Sequence, residues 1–151
     1  MALKDTINND LKAALLSGNH FATQVLRGLK AVILNEEVAK GLREVGLDDA
    51  SIEQLLAREV KKRNESATLY DAAGRQQLAV DERAEADIIS VYLPKQLSEQ
   101  EIEVSVKRVI NDLGATEMKQ MGQVIGKVKQ ELGNAADGSI VSRLVKEALS
   151  Q

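Results

Sequence analysis

A single proline in a chain of 151 residues sets the tightest limit on what this sequence can become. Pro94 fixes its own φ, lacks an amide donor and disfavours helical geometry at Leu93. On both sides of it, apolar residues recur at spacings of three and four, the pattern of helices with one buried stripe. Leu3, Ile7, Leu11 and Leu15 form a first stripe, closed by Gly18-Asn19. Phe21, Val25, Leu26, Leu29, Val32 and Ile33 form a second, which fades at Gly41, a residue suited to a helix C-terminus. Asp48 or Asp49 can cap a third helix, carrying Ile52, Leu55, Leu56 and Val60 towards Tyr70, with Gly74 as its break. A fourth, acidic at its start (Asp81, Glu82), runs through Ala84, Ile88, Val91 and Tyr92 to the proline.

Beyond Pro94, Ser98-Glu-Gln-Glu101 reads as a capping box that restarts the helix. Ile102, Val106, Val109, Ile110 and Leu113 follow in register, and Gly114 closes them. Thr116 begins a short turn around Met118. Met121, Val124, Ile125, Val128 and Leu132 form the next stripe, ended by Gly133-Asn134. Asp137 caps the last helix, with Ile140, Val141, Leu144, Val145, Ala148 and Leu149 on one face. Aromatics make up only 2% of the chain, and straight-chain helix formers and alanine dominate, so no sheet is expected. The expected architecture is all-α: an extended N-terminal helical lobe over residues 1–94 and a compact C-terminal helical bundle over 95–151.

The same residues narrow the chemistry. The net charge of −3 argues against a uniformly basic nucleic-acid binder. The deficit lies in residues 1–94, with 12 basic against 15 acidic side chains, whereas 95–151 balance at 8 and 8. Cysteine is absent, which removes thiolate catalysis and cysteine metal sites. His20, the one histidine, stands beside Asn19 with no partner in view, so it is read as solvated or capping rather than as a base. Gly122-Gln-Val-Ile-Gly-Lys-Val128 differs from a phosphate loop in its glycine spacing, in lacking Ser or Thr after the lysine and in having no strand before it. Gly122 and Gly126, four apart, instead leave a bare strip for close helix packing. Glu36 and Arg63 fall on or beside apolar stripes and are expected to form a partly buried ion pair. Arg58, Lys61 and Lys62 read as a solvated face diluted by Glu59 and Glu65. Met118 and Met121 are expected in or near the core, and Ala136-Asp-Gly138 as a turn leading into an N-cap. No catalytic residue, metal ligand or cofactor site is expected. The first residues lack a basic stretch followed by an apolar one, and no apolar run reaches the roughly 18 residues of a membrane span. A cytoplasmic location with no membrane contact is the resulting expectation.

Tyr92-Leu-Pro-Lys-Gln-Leu-Ser98, Met121-Gly-Gln-Val-Ile-Gly126 and Ala136-Asp-Gly-Ser-Ile-Val141 together resemble the GatB/YqeY family. Leu26-Arg-Gly-Leu-Lys30, Asn35-Glu36 and Lys61-Lys-Arg-Asn-Glu-Ser66 are similar to that family's N-terminal helices. Ile125 and Ser139 stand where members often have Met and Lys. The resemblance implies a C-terminal lobe like the tail domain of the B subunit of tRNA-dependent amidotransferases, which helps to hold the tRNA. The family's label, carbon–nitrogen ligase with glutamine as amido donor, comes by association with the larger enzyme, whose catalytic domain has no counterpart here. The expected function is therefore a non-catalytic accessory or RNA-recognition module for tRNA, with Lys119, Lys127, Lys129, Arg143 and Lys146 as its RNA-binding residues. Amidotransferase subunits or another protein are further possible partners. The rival expectation is a helical protein–protein interaction module without RNA binding, and direct participation in amidotransfer is the weakest.

Overall fold

Seven α-helices and two 3₁₀ turns account for the ordered elements among the described residues, Ala2–Ser150, of a computed structural model, and no strand occurs among them. The chain is all-α. It divides into two compact units, Met1–Leu93 and Pro94–Gln151.

The first unit contains α1 (Leu3–Ser17), α2 (His20–Ala39), α3 (Asp49–Ala72) and α4 (Gln76–Ser90). Gly18 adopts a left-handed conformation with φ of 72°, which reverses the chain between α1 and α2 without a Cβ clash. Asn19 then caps α2 by accepting the Ala22 amide, and Asp48 caps α3 by accepting that of Ser51. Ile7, Leu11, Leu26, Leu29, Ile33, Ile52, Leu56 and Ile89 close one core contributed by all four helices. Further along α3 and α4, three alanines are buried, Ala67, Ala79 and Ala86. Small side chains there let the two helices approach closely. The hairpin is tied by Arg63 Nε donating to Glu85 at 2.9 Å and by the Arg83–Asp71 pair at 2.5 Å.

Two expectations need correcting here. Helix α4 begins at Gln76, five residues before the acidic pair, because Gly74 at φ 73° releases the chain at once and Arg75 supplies a cap position without a side-chain bond. Its buried face is Ala79, Ala86 and Ile89, so Val91 is exposed rather than buried.

The second unit contains α5 (Glu99–Leu113), α6 (Met121–Leu132) and α7 (Gly138–Leu149), with short turns at Met118–Gln120 and Gly133–Ala135. The Ser98 capping box is present in both directions, the Glu101 amide donating to Ser98 Oγ at 3.1 Å and the Ser98 amide to Glu101 Oε1. Asp137 caps α7 through the Ser139 amide at 2.8 Å. Ile102, Val106, Val109, Val124, Val128, Val141 and Val145 form a separate, almost wholly aliphatic core. The amide of Leu97 donates to the Ala135 carbonyl at 2.8 Å, which pins the segment after the proline to the α6–α7 connection. Met121 packs against this core, but Met118 is exposed, contrary to its expected place as filler.

Candidate functional site

Helix α6 presents the most distinctive surface of the second unit. Val124 and Val128 turn inward, so at 100° per residue Gly122, Gln123, Gly126 and Gln130 fall on the outward face, and all four are exposed. Apart from its chain neighbours and the adjoining backbone of its own helix, a Cβ added at Gly122 or Gly126 would meet no atom within 4 Å. The glycine strip is therefore open to solvent, and no helix of this unit occupies it, contrary to the close packing expected for it. Lys127 lies on one flank of the strip and Lys129 on the other. The Lys129 side chain crosses the first residue of α7, its Cε and Nζ each 3.2 Å from where a Gly138 Cβ would stand.

The five basic residues expected to contact RNA fall into two electrostatic states. Lys119 is held by Glu117 at 3.0 Å, and Arg143 is bridged between Glu99 at 2.5 Å and Glu147 at 3.2 Å. Those two carboxylates raise the Arg143 pKa above its usual value, through hydrogen bonds first and charge second. Lys127, Lys129 and Lys146 have no carboxylate within ion-pairing distance among the described residues. Glu131, one turn beyond Lys127, is hydrogen-bonded by Arg108, and that bond, with smaller help from the Arg108 and Lys127 charges, holds its carboxyl below the usual range.

Elsewhere the charged groups are arranged differently from what the stripes suggested. The buried carboxylate is Glu37, not Glu36. Glu37 is 1% exposed, accepts Lys4 Nζ at 2.9 and 3.0 Å, and accepts the Leu47 amide at 2.9 Å. The Lys4 bond, reinforced by the amide and opposed by burial, lowers its pKa from the usual value. Glu36 instead pairs with Lys40 at the surface. Arg63 pairs with Glu59 and Glu85 within the α3–α4 hairpin, so the expected Glu36–Arg63 contact does not form. His20 is exposed as the first residue of α2, with Asn19 taking the cap. No three His, Cys, Asp or Glu side chains converge as a metal site would require, among the described residues.

A family model described as Yqey-like protein matches residues 4–149. Curated relatives include Altered inheritance of mitochondria protein 41, mitochondrial, of Pyrenophora tritici-repentis, 28% identical over 143 residues that cover 93% of this chain and 77% of the relative. Its namesake in Clavispora lusitaniae is 24% identical over 149 residues, covering 95% and 85%. That of Saccharomyces cerevisiae is 27% identical over 127 residues, covering 81% and 68%. These names place the relatives in mitochondria and overturn the cytoplasmic expectation, which rested on features missing from the sequence and not on any address within it. No helix among the described residues is long and apolar enough to cross a membrane.

Proposed function

This chain belongs to the YqeY-like protein family, and from that premise we propose that it is a non-catalytic recognition module whose C-terminal unit binds folded tRNA. One observation carries the reading: the open Gly122–Gly126 strip, flanked by Lys127 and Lys129, neither of which forms an ion pair among the described residues. Without Cβ atoms at Gly122 and Gly126, a sugar–phosphate backbone can come within contact of the helix surface along that strip. Lys127 and Lys129 then meet phosphates on either flank, and Gln123 and Gln130 offer amide donors and acceptors to sugar hydroxyls. Phe21, Tyr70 and Tyr92 all belong to the N-terminal unit, so the C-terminal unit offers bases no aromatic stacking platform. Recognition is then by charge and shape.

The likeness of the C-terminal segments to the tail domain of amidotransferase B subunits supports the same direction. On this proposal the chain would serve glutamine-dependent tRNA amidotransfer as an accessory and not as the carbon–nitrogen ligase. The test is filter binding of tRNA across a salt series, comparing the wild type with the combined Lys127→Ala, Lys129→Ala and Lys146→Ala variant and with Arg143→Ala. The slope of log affinity against log salt should flatten by about 0.7–0.9 for each lost phosphate contact. Arg143→Ala should change it less, because Glu99 and Glu147 already occupy that guanidinium. No retention of tRNA at about 50 mM salt, or a triple variant that binds like the wild type, would refute the reading.

A further inference from the structure

We propose that the groove between α1 and α2 docks an acidic amphipathic helix of a partner protein, with one large apolar side chain of that helix filling a pocket in the groove. The pocket has a volume of about 210 Å³ and is lined by the apolar Ile7, Ala31, Ile33 and Leu34 together with Lys4, Lys30 and Glu37. Small-molecule sites commonly occupy about 300–1,000 Å³. This one is smaller, yet has room for a leucine or phenylalanine side chain.

The apolar surface also continues beyond the pocket. Ala31, Leu34 and Val38 stand at i, i+3 and i+7 on one exposed face of α2, Leu34 being 44% and Val38 56% exposed. A row of that spacing is what a second helix packs against, anchor by anchor. A small ligand confined to the pocket would leave Val38 uncovered.

Charge selects the partner. Arg27 lies one turn before Ala31, and Lys30 one turn before Leu34; both are exposed and without a carboxylate partner among the described residues. Glu37, the carboxylate in the pocket lining, is already committed to Lys4 and the Leu47 amide. The face is thus positive in a chain whose net charge is −3, and its complement is acidic.

The probe is a fluorescein-labelled designed helical peptide with leucines at i, i+4 and i+7 and glutamates between them. It is titrated by anisotropy against the full chain, beside a lysine-for-glutamate version. Saturable binding of the acidic peptide is expected, weakened at least about tenfold by Leu34→Asp. The double variant Arg27→Glu, Lys30→Glu should reverse the preference and take the lysine peptide. Leu34 is half-exposed, so circular dichroism should show every variant folded. The tRNA affinity of these variants should be unchanged, which keeps this inference separate from the RNA reading. Absence of saturable binding, equal binding of both peptides by the wild type, or sedimentation showing a dimer that Leu34→Asp dissolves would each overturn it, the last by assigning the groove to a second copy.

Discussion

Replacing Glu37 should unfold the N-terminal unit more readily than any surface substitution, and by an amount that separates its two roles. In Glu37→Leu the Leu47 amide loses its acceptor in a buried position, which costs about 1–3 kcal/mol. The Lys4 pair is lost as well. A fully buried pair broken on one side costs about 3–5 kcal/mol, but the Lys4 side chain is 42% exposed and its ammonium returns to water. The pair then contributes about 1 kcal/mol, since exposed pairs seldom exceed that, and the total is about 2–4 kcal/mol. Glu37→Gln keeps an acceptor for Leu47 and gives up only the charge, for about 1–2 kcal/mol. Tyr70 and Tyr92 both lie in this unit and the chain has no tryptophan, so tyrosine fluorescence in urea reports on it alone. With m near 1–3 kcal/mol/M, the midpoint should fall by about 1–2 M for the leucine variant at unchanged m. The pH dependence has a definite sign. Folding lowers the Glu37 pKa, so its stabilisation is present above the usual 4.5 and is lost as pH falls through the lower folded value. The gap between wild type and Glu37→Gln should therefore close below that range. A midpoint within error of wild type, or a gap that stays constant from neutral to strongly acid pH, would refute the reasoning.

Three further outcomes are expected. Gly46 holds φ at 84°, and a Cβ there would stand 3.2 Å from Glu37 Oε2, so Gly46→Ala should destabilise the same unit by at least about 1–2 kcal/mol in the same urea assay. Ser98→Ala removes the acceptor for the Glu101 amide and should cost the C-terminal unit about 1 kcal/mol, read by far-ultraviolet circular dichroism of the fragment from Pro94 onward. That fragment has its own aliphatic core and should itself melt cooperatively; a featureless chain would show that the units depend on each other.

Much of this architecture is legible in the sequence because it is written in local chemistry. Ser98-Glu101, Asp48 and Asp137 announce helix starts through side chains that accept amide protons, and Gly18, Gly74 and Gly114 announce ends through positive φ. The start of α4 was hidden because Arg75 caps without a side-chain bond. Glu36 and Glu37 differ by one residue, or 100° of helix. Val25, Leu29, Val32 and Glu36 keep helical spacing, and so do Leu26, Leu29, Ile33 and Glu37. Only the position of α1, which brings Lys4 to the second row, decides which glutamate is buried. Which cations remain available was equally illegible, since Arg143 meets Glu99 across 44 positions of sequence. The open glycine strip was visible as a spacing, but whether a helix filled it depended on the packing of α5 and α7 against the other side of α6.

The central claim concerns where RNA meets this chain, and amide chemical-shift mapping of the ¹⁵N-labelled full-length protein titrated with unmodified tRNA addresses it most directly. The Gly122, Gln123, Gly126 and Lys127 amides of α6 and the Gly138 amide at the start of α7 should shift together and saturate, while those of Ala31, Leu34 and Val38 on α2 stay in place. Shifts confined to the N-terminal unit, or none at tRNA concentrations that saturate filter binding, would contradict the account.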